Sequence, residues 1–497
     1  MSLVKIEKYN ETFIRVFAGS SIEQELSDFF RFRPPGYQYM PLFKNKLWDG
    51  WTRLYNTQTK TIYYGLLDYV IEFCKRNNYE LVYDSDLIVN HNITQEEVLK
   101  FTSELNLYAR SKPITIHDYQ VNAITVALNK ARTLLISPTS SGKSLIIYSM
   151  IRYHLHYNRR CLVVVPSTSL VEQLYSDFED YSSHNGFCVS DHMQKLYSGL
   201  SKSFNKQVLI TTWQSIVNMP RPFFNDFDVI IGDEAHTFAA KSLTSIMEKL
   251  SNTAYRVGTT GTLHDSKVNK LTLEGIFGRV YDVTTTKELM DRGKVAPLKI
   301  SCLILKHDKE SRELLKKASY QNEISWLVSN QPRNKFIRNL AVSTTGNTLV
   351  LFQLVDKHGK FLFDMIKSKV QDGRKVFFVH GGVDTDDREY IRKICEHETN
   401  AIIVASYGTL STGVNMPSIQ NIIFASPYKS KVKVLQSIGR GLRLKDGKDH
   451  CKLFDIMDDL CINSWKNHTF NHATERLKLY TQQQFDYKMI EVELNGT

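Results

Sequence analysis

The chain is 497 residues long, 42% hydrophobic and 23% charged, which supplies ample apolar side chain for packed cores and excludes both a disordered chain and a disulfide-stapled miniprotein. At roughly 100 to 200 residues per domain, this length predicts about three domains. Sixty-three Lys plus Arg against 52 Asp plus Glu leave a formal charge of +11, which suits a polyanionic partner but separates nucleic acid from acidic membrane only weakly.

The seven cysteines are scattered, with no C-x-x-C pair and no Cys/His cluster at zinc spacing. No structural metal is expected, and a reducing compartment, the cytoplasm, fits best. The opening MSLVKIEKYNETFIRVFAGS alternates apolar with charged residues, and no apolar run is long enough to span a bilayer. Neither an export signal nor a membrane anchor is expected.

Residues 1 to about 110 hold few continuous apolar runs and many aromatics, which predicts a small α+β domain ahead of the rest. Within it, Arg31 to Arg53 contains five basic residues (Arg31, Arg33, Lys44, Lys46, Arg53), one acid (Asp49) and six rings (Phe32, Tyr37, Tyr39, Phe43, Trp48, Trp51). Cations that hold phosphates and rings that stack on unpaired bases are the materials of a strand-tracking surface, with Trp48 and Arg53 as candidate nucleic-acid contacts. The competing reading places at least half of these rings in the core of so small a domain and leaves the cations solvated.

From about Leu134 onward, apolar runs recur: LLIS, CLVVVP, QVLITT, DVIIGDE and YRVGTT, then NTLVLF, KVFFVHG, AIIVAS, QNIIFAS and HCKLFDI. Such runs, alternating with stretches of helical spacing, read as buried parallel strands of an open α/β sheet covered on both faces. Two sets of about five strands predict two α/β domains, over residues 111–300 and 301–462. The polar, helical-looking stretch from about Lys309 to Thr345 is the expected region of the join, and residues 463–497 are expected to form a helical tail.

Ser137-Pro138-Thr139-Ser140-Ser141-Gly142-Lys143-Ser144 follows the LLI run and precedes the apolar stretch Leu145 to Met150, the strand-loop-helix setting of a phosphate-binding loop. There, backbone N–H groups wrap a β-phosphate, the helix N-terminus adds a favourable dipole, Lys143 neutralises β/γ charge and Ser144 places a hydroxyl on Mg²⁺. Ser137 departs from the strict pattern, which has Gly at that position; the alternative is a polar turn with a chance Gly-Lys-Ser. Asp233-Glu234-Ala235-His236 directly follows the apolar Val229-Ile230-Ile231. Asp233 at a strand end suits a phosphate-bound Mg²⁺, and Glu234 can orient and deprotonate the attacking water. A solvated acidic turn is the competing reading.

In the second set, Gln436-Ser437-Ile438-Gly439-Arg440-Gly441-Leu442-Arg443 follows the QNIIFAS run. Arg440 and Arg443 are three apart, so on a helix they share a face. Cations brought from another domain can stabilise a γ-phosphate as arginine fingers, worth ~10³ to 10⁵ in rate; an ordinary basic helix face competes. Lys429 to Lys452 adds further lysines, among them Lys445 and Lys448, that read as DNA-facing or solvated.

In this order the phosphate loop, acidic pair and arginine segment resemble the motifs of superfamily 2 helicases, over most of residues 117 to 460. The resemblance implies two RecA-like parallel-sheet domains in tandem behind the small α+β domain, with ATP and Mg²⁺ bound by Pro138, Thr139, Ser140, Ser141, Gly142, Lys143 and Ser144. It further assigns Gln120 to the adenine and Gln436, Arg440 and Arg443 to the γ-phosphate. Pro166-Ser167-Thr168-Ser169-Leu170 with Gln173, and Thr211-Thr212-Trp213-Gln214, resemble the segments that touch the nucleic-acid backbone. His236, with Thr260 and Thr262 of Thr260-Gly261-Thr262, resembles the coupling residues, and Ser411-Thr412-Gly413-Val414-Asn415 resembles the motif that senses both ATP (Gly413) and nucleic acid (Thr412). Gly439-Arg440-Gly441-Leu442-Arg443 departs from the G-R-x-G-R of RNA helicases and resembles DNA-acting members such as XPB and restriction-enzyme motor subunits.

Gly36-Tyr37, Tyr39, Pro41, Phe43-Lys44, Trp48-Asp49-Gly50 and Arg53-Leu54 resemble the leading domain of the UvsW-type helicases of T4-like phages, which extends the resemblance over nearly the whole chain. It implies a 3′-to-5′ DNA helicase acting on Holliday junctions, D-loops, R-loops with their RNA–DNA hybrids, and stalled forks. It also implies a place in the bacterial host cytoplasm and, as partners, phage recombination or single-strand-binding proteins. An RNA helicase, the motor subunit of a restriction system, and a non-hydrolysing DNA-binding or annealing protein remain the alternatives.

Overall fold

The computed structural model describes residues 3–34, 36–198, 204–263, 267–370, 373–382, 397–408, 419–428, 430–444, 448 and 450–494. The chain divides into two compact units, one running to Thr284 apart from Pro138–Ser141, the other beginning at Thr285. The expected join therefore moves upstream. The helices Lys309–Leu314, Tyr320–Ser329 and Gln331–Ser343 lie inside the second unit, the last two anchored there by buried polar side chains. Buried Arg333 forms a bidentate pair with buried Asp458 (2.7 and 2.9 Å), and Glu323 accepts from Asn467 and Thr469.

The leading residues build a four-stranded sheet in the order β5-β2-β1-β6, from Leu3–Lys8 (β1), Phe13–Phe17 (β2), Thr61–Tyr63 (β5) and Glu80–Tyr83 (β6). Alternation in β1 and β2 turns Val4, Ile6, Ile14 and Val16 inward against the helices Ser20–Phe29 and Leu67–Arg76. None of the six rings between Arg31 and Arg53 enters this core, which is built from Phe30, Tyr55, Tyr64, Phe73 and aliphatic residues instead. The expectation that half of them would be buried is thereby corrected. The short pairing of Arg31–Phe32 (β3) with Thr52–Arg53 (β4) carries them on an excursion away from the main sheet. A second short pair, Tyr108–Ala109 (β7) with Lys112–Pro113 (β8), precedes the first large sheet.

The leading sheet has its own core but is fastened within the first unit. Gly65 approaches so closely that a Cβ there would lie 2.1 Å from the carbonyl oxygen of Glu274. Buried Arg256 donates to Thr12 Oγ1 (2.7 Å), while Tyr63 and Tyr69 donate to Glu248 and Glu274.

The first large sheet is wholly parallel. Arg132–Ile136 (β9), Cys161–Val165 (β10), Met193–Leu196 (β11), Val208–Thr212 (β12), Val229–Asp233 (β13), Tyr255–Thr260 (β14) and Val280–Asp282 (β15) lie in the order β11-β12-β10-β13-β14-β9-β15. The second sheet repeats that topology. Leu298–Lys306 (β16), Asn347–Phe352 (β17), Val376–Val379 (β18), Ile402–Ser406 (β19), Ile419–Phe424 (β20), Cys451–Asp459 (β21) and Tyr487–Glu493 (β22) run β18-β19-β17-β20-β21-β16-β22, each strand holding the place of the one seven earlier. Two tandem RecA-like domains behind a small α+β region are thus the fold, and all ten apolar runs are strands.

The tail differs from expectation. After the helix His468–Gln482, residues Tyr487–Glu493 form an edge strand, not helix, because β16 pairs with β21 on one side and its other edge is satisfied by parallel bonds to β22. Among the described residues, no helix is long and apolar enough to cross a membrane.

Candidate active site

Strands β13, β14 and β9 are neighbours, so their carboxyl ends bring Asp233, Thr260 and the loop after Ile136 together, the place where open parallel sheets bind ligands. Ser137 is buried and its N–H donates to the Thr260 carbonyl (2.8 Å), which fixes the start of the loop. The N–H and Oγ of Ser141 both donate to the Pro138 carbonyl (3.1 and 2.6 Å), closing a turn in which Ser140 has φ 71°. A left-handed conformation costs a non-glycine residue about 1–2 kcal/mol. The Ser140 Oγ is also buried without a hydrogen-bond partner, a polar group and a strained turn that suit an anion.

Gly142 (φ 78°) starts the helix Lys143–His156, and a Cβ there would come within 2.2 Å of Gln120 Nε2. Glycine therefore lets the buried Gln120 amide lie against the loop; its Oε1 accepts from the His117 N–H (2.9 Å) at the start of the helix Asp118–Lys130.

Lys143 Nζ lies 2.8 Å from Asp233 Oδ1 and 3.0 Å from Glu234 Oε1. Burial pushes the Glu234 carboxyl up, but the Lys143 ammonium and His236 outweigh it and hold the group well below the usual carboxylate range. Burial likewise lowers Lys143, and the two carboxylates reverse that and raise it above its ordinary value. Glu234 sits at φ 51° with Oε2 3.3 Å from His236 Nδ1. From there a chain of contacts runs on: His236 Nδ1 to Thr260 Oγ1 (2.9 Å), then Thr260 Oγ1 to the Thr262 carbonyl (3.0 Å), with Thr262 Oγ1 buried and unpartnered. Two residues unmarked by any motif complete the site. Thr259 Oγ1 donates to Asp233 Oδ1 (2.8 Å), and Tyr181 OH lies 2.8 Å from Ser144 Oγ.

A cavity of about 650 Å³ opens beside the ends of β10 and β12, lined by Ser167, Thr168, Tyr197, Thr212, Gln214 and Asn218 among others. Ser167 caps the helix Thr168–Tyr181, and Thr212 Oγ1 is 2.9 Å from Ser215 Oγ. Thr211 does not reach the cavity: it is buried, and its hydroxyl donates to the Leu196 carbonyl (2.7 Å) because strand alternation turns it the other way. Trp213 packs partly on the apolar core, and the half-buried Gln173 lies along the helix outside the lining.

In the second unit, the helix Lys431–Gly441 carries Gln436, half-buried, and the backbone of Arg440. It ends before Arg443, so the two arginines do not share a helical face as their spacing implied. The end is fixed by packing: a Cβ at Gly441 would meet Cys451 Sγ at 2.5 Å and Ile422 Cδ1 at 2.7 Å. Lys448, expected to be DNA-facing or solvated, is buried with its ammonium on the carbonyls of Gly441 and Arg443, capping the helix. Thr412 and Gly413, with Lys429 and Lys445, lie outside the described residues.

On the leading domain, the guanidinium groups of Arg31 and Arg33 each lie 4.5 Å from the centre of the Trp51 ring. Trp48 Nε1 donates to the Trp51 carbonyl (2.8 Å), and exposed Arg53 pairs with Asp49 (2.7 Å). Tyr39 and Leu47 project with 71% and 74% of their surface exposed.

Three family models match the chain: "DNA helicase UvsW, N-terminal" over residues 3–84, "Type III restriction enzyme, res subunit" over 113–265 and "Helicase conserved C-terminal domain" over 332–445. The ATP-dependent DNA helicase uvsW of Enterobacteria phage T4 is 33% identical over 509 residues, spanning 99% of this chain and 100% of that protein. The DNA 3′-5′ translocase XPB2 of Sulfurisphaera tokodaii is 23% identical over 378 residues, 67% of this chain and 80% of its own length. A crystal structure of T4 UvsW aligns with a TM-score of 0.54 at 32% identity, covering 100% of both chains. The DNA-bound Type ISP restriction-modification enzyme LlaBIII shares the fold at a TM-score of 0.57 and 16% identity, over 84% of this chain and 34% of that one.

Proposed function

Because the chain belongs to the family of UvsW-like ATP-dependent DNA helicases and is an ATP-driven DNA helicase, we propose that its substrates are branched: Holliday junctions, D-loops, R-loops and stalled forks, handled during recombination, repair and replication. The setting proposed is the cytoplasm of a phage-infected bacterium. The observation that carries the chemistry is the bridge from Lys143 to both Asp233 and Glu234 beside the strained Ser140 turn.

Among the described residues no cluster of three or more His, Cys, Asp or Glu side chains could hold a metal ion alone, so Ser144 and Asp233 would hold Mg²⁺ together with phosphate oxygens. The orphaned Ser140 hydroxyl and the positive-φ turn fit a phosphate group. Bound there, Mg²⁺ would neutralise charge developing on the β- and γ-phosphate oxygens. Lys143 exchanges its carboxylates for phosphate. That exchange removes the larger single charge that depresses Glu234 and leaves its burial and His236 in place, so Glu234 becomes a stronger base toward water at the moment nucleotide is in position. Thr259 and His236 keep Asp233 and Glu234 in place. Gln120 holds the adenine, and Gln436, Arg440 and Arg443 are assigned to the γ-phosphate from the family resemblance. Ser167, Thr168 and Thr212 contact the DNA backbone, so binding is independent of sequence and falls steeply with salt. The exposed rings and cations between Arg31 and Arg53 supply the surface that meets the branch.

The test compares ATPase and strand displacement on Holliday junction, fork, R-loop, blunt duplex and RNA duplex, with ATP and with a non-hydrolysable analogue. Branched DNA is expected to stimulate most, and Lys143→Ala to abolish the stimulation. Equal rates in wild type and Lys143→Ala overturn the site; equal activity on blunt duplex and on junctions overturns the substrate. The match to the restriction res subunit favours a second reading, a duplex translocase, whose sign is ATPase stimulated by blunt duplex without strand displacement.

A further inference from the structure

The hydroxyl of Ser144 does not stand alone: the phenol oxygen of Tyr181, 37 residues away in sequence, lies 2.8 Å from it. Tyr181 is the last residue of the helix Thr168–Tyr181, whose Val171, Leu174 and Phe178 are buried. Its ring is held against Tyr148 (centroids 5.5 Å apart), Tyr148 also packs on Phe178 (5.3 Å), and Arg152 donates to the Tyr148 hydroxyl (2.7 Å). Packing of the half-buried Tyr181 ring on buried Tyr148 restrains the phenol oxygen.

A serine hydroxyl that gives a lone pair to a divalent cation must direct its own hydrogen elsewhere, and an acceptor in a fixed place decides which lone pair faces the metal. Resting on the nucleotide-site reading above, we propose that Tyr181 is a positioning residue for the nucleotide-borne divalent cation: it accepts the Ser144 hydroxyl hydrogen and aims the free lone pairs of that oxygen at the metal. No sequence motif marks the residue, since its contact is with Ser144, 37 residues away.

Tyr181→Phe removes the one oxygen and keeps the ring packing. The binding of a fluorescent ATP analogue is measured by titration with Mg²⁺ and again in EDTA, for wild type, Tyr181→Phe, Ser144→Ala and the double variant. Wild type is expected to bind more tightly with Mg²⁺ than without it. In Tyr181→Phe the Mg²⁺ needed for half of that tightening rises on the order of tenfold, the usual scale for losing a group that orients a metal ligand, while affinity in EDTA stays at the wild-type value. The double variant is expected to match Ser144→Ala alone, because one effect passes through the other. An unchanged Mg²⁺ titration, an equal loss in EDTA, or an additive double variant each overturns the proposal while leaving the helicase reading intact. Wild-type protein that binds no nucleotide overturns both.

Discussion

Replacing Lys143 with Met isolates the electrostatics of the site, because it removes the ammonium and keeps an unbranched apolar stem. In the wild type Glu234 is held below its ordinary value of 4.5. It therefore contributes stability that is present above that pH and is lost as the pH falls. Without Lys143 its lowering influence is gone while burial and His236 remain, so the Glu234 carboxyl rises from its wild-type value. The stability that Glu234 contributes above its ordinary value therefore shrinks in the variant, and the difference between the two proteins fades as the pH falls below that value. Breaking a fully buried ion pair costs about 3–5 kcal/mol; with Lys143 and Glu234 keeping 20% and 22% of their side-chain surface exposed, about 2–3 kcal/mol at neutral pH is expected. At about 2–4 °C per kcal/mol for a unit of this size, the melting temperature of Lys143→Met falls by roughly 5–10 °C at neutral pH. The assay is thermal unfolding without nucleotide, from neutral to strongly acid buffers. The two proteins should converge toward acid and differ by a constant amount above the ordinary carboxylate value. Melting curves displaced by the same amount at every pH would refute the reasoning, since they would show that Lys143 does not set the charge state of Glu234.

Gly441→Ala is expected to destabilise the second unit by about 1–2 kcal/mol, overpacking against Cys451 and Ile422 exceeding the gain in helix propensity; thermal unfolding reads this, and adding Cys451→Ala should recover part of it. Arg333→Met removes the bidentate partner of buried Asp458, which burial raises and Arg333, together with His307, holds well below the carboxylate range in the wild type. A loss of about 3–5 kcal/mol in urea unfolding is expected, and Arg333→Met with Asp458→Leu should be close to wild type. The wild-type contribution of Asp458 is present above the unfolded aspartate value and lost on acidification, so the single variant's deficit should narrow in acid. Asp49→Ala frees Arg53 from its partner, and binding to a forked DNA at low salt should tighten by about two- to threefold, on the scale of an exposed ion pair; weaker binding refutes Arg53 as a phosphate contact.

Residue type along the chain marked the strands that are apolar throughout, such as Cys161–Val165, and the residues that sit at their ends. A strand buried on both faces must be apolar at every position, and that demand is written within five residues. It also determined the chemistry at each strand end, because Gly142-Lys143-Ser144 and Asp233-Glu234 are contiguous in the chain. Strands with polar or exposed positions escaped: Met193–Leu196 and Val280–Asp282 are short, and Tyr487–Glu493 is an edge strand with mostly exposed side chains. The duplicated strand order was equally invisible, being a repeat of connection and not of residue type.

Which strand ends are neighbours, and which side chains meet across them, follows from the folded topology alone. Lys143 with Glu234, Ser144 with Tyr181 and Asp233 with Thr259 are separated by 91, 37 and 26 residues. Likewise Lys448 reads as one more surface cation until the fold closes over it and turns its ammonium onto a helix end. Periodicity and side-chain type act over one turn or one strand, whereas a charge takes its meaning from a partner that the crossover connections deliver from elsewhere in the chain.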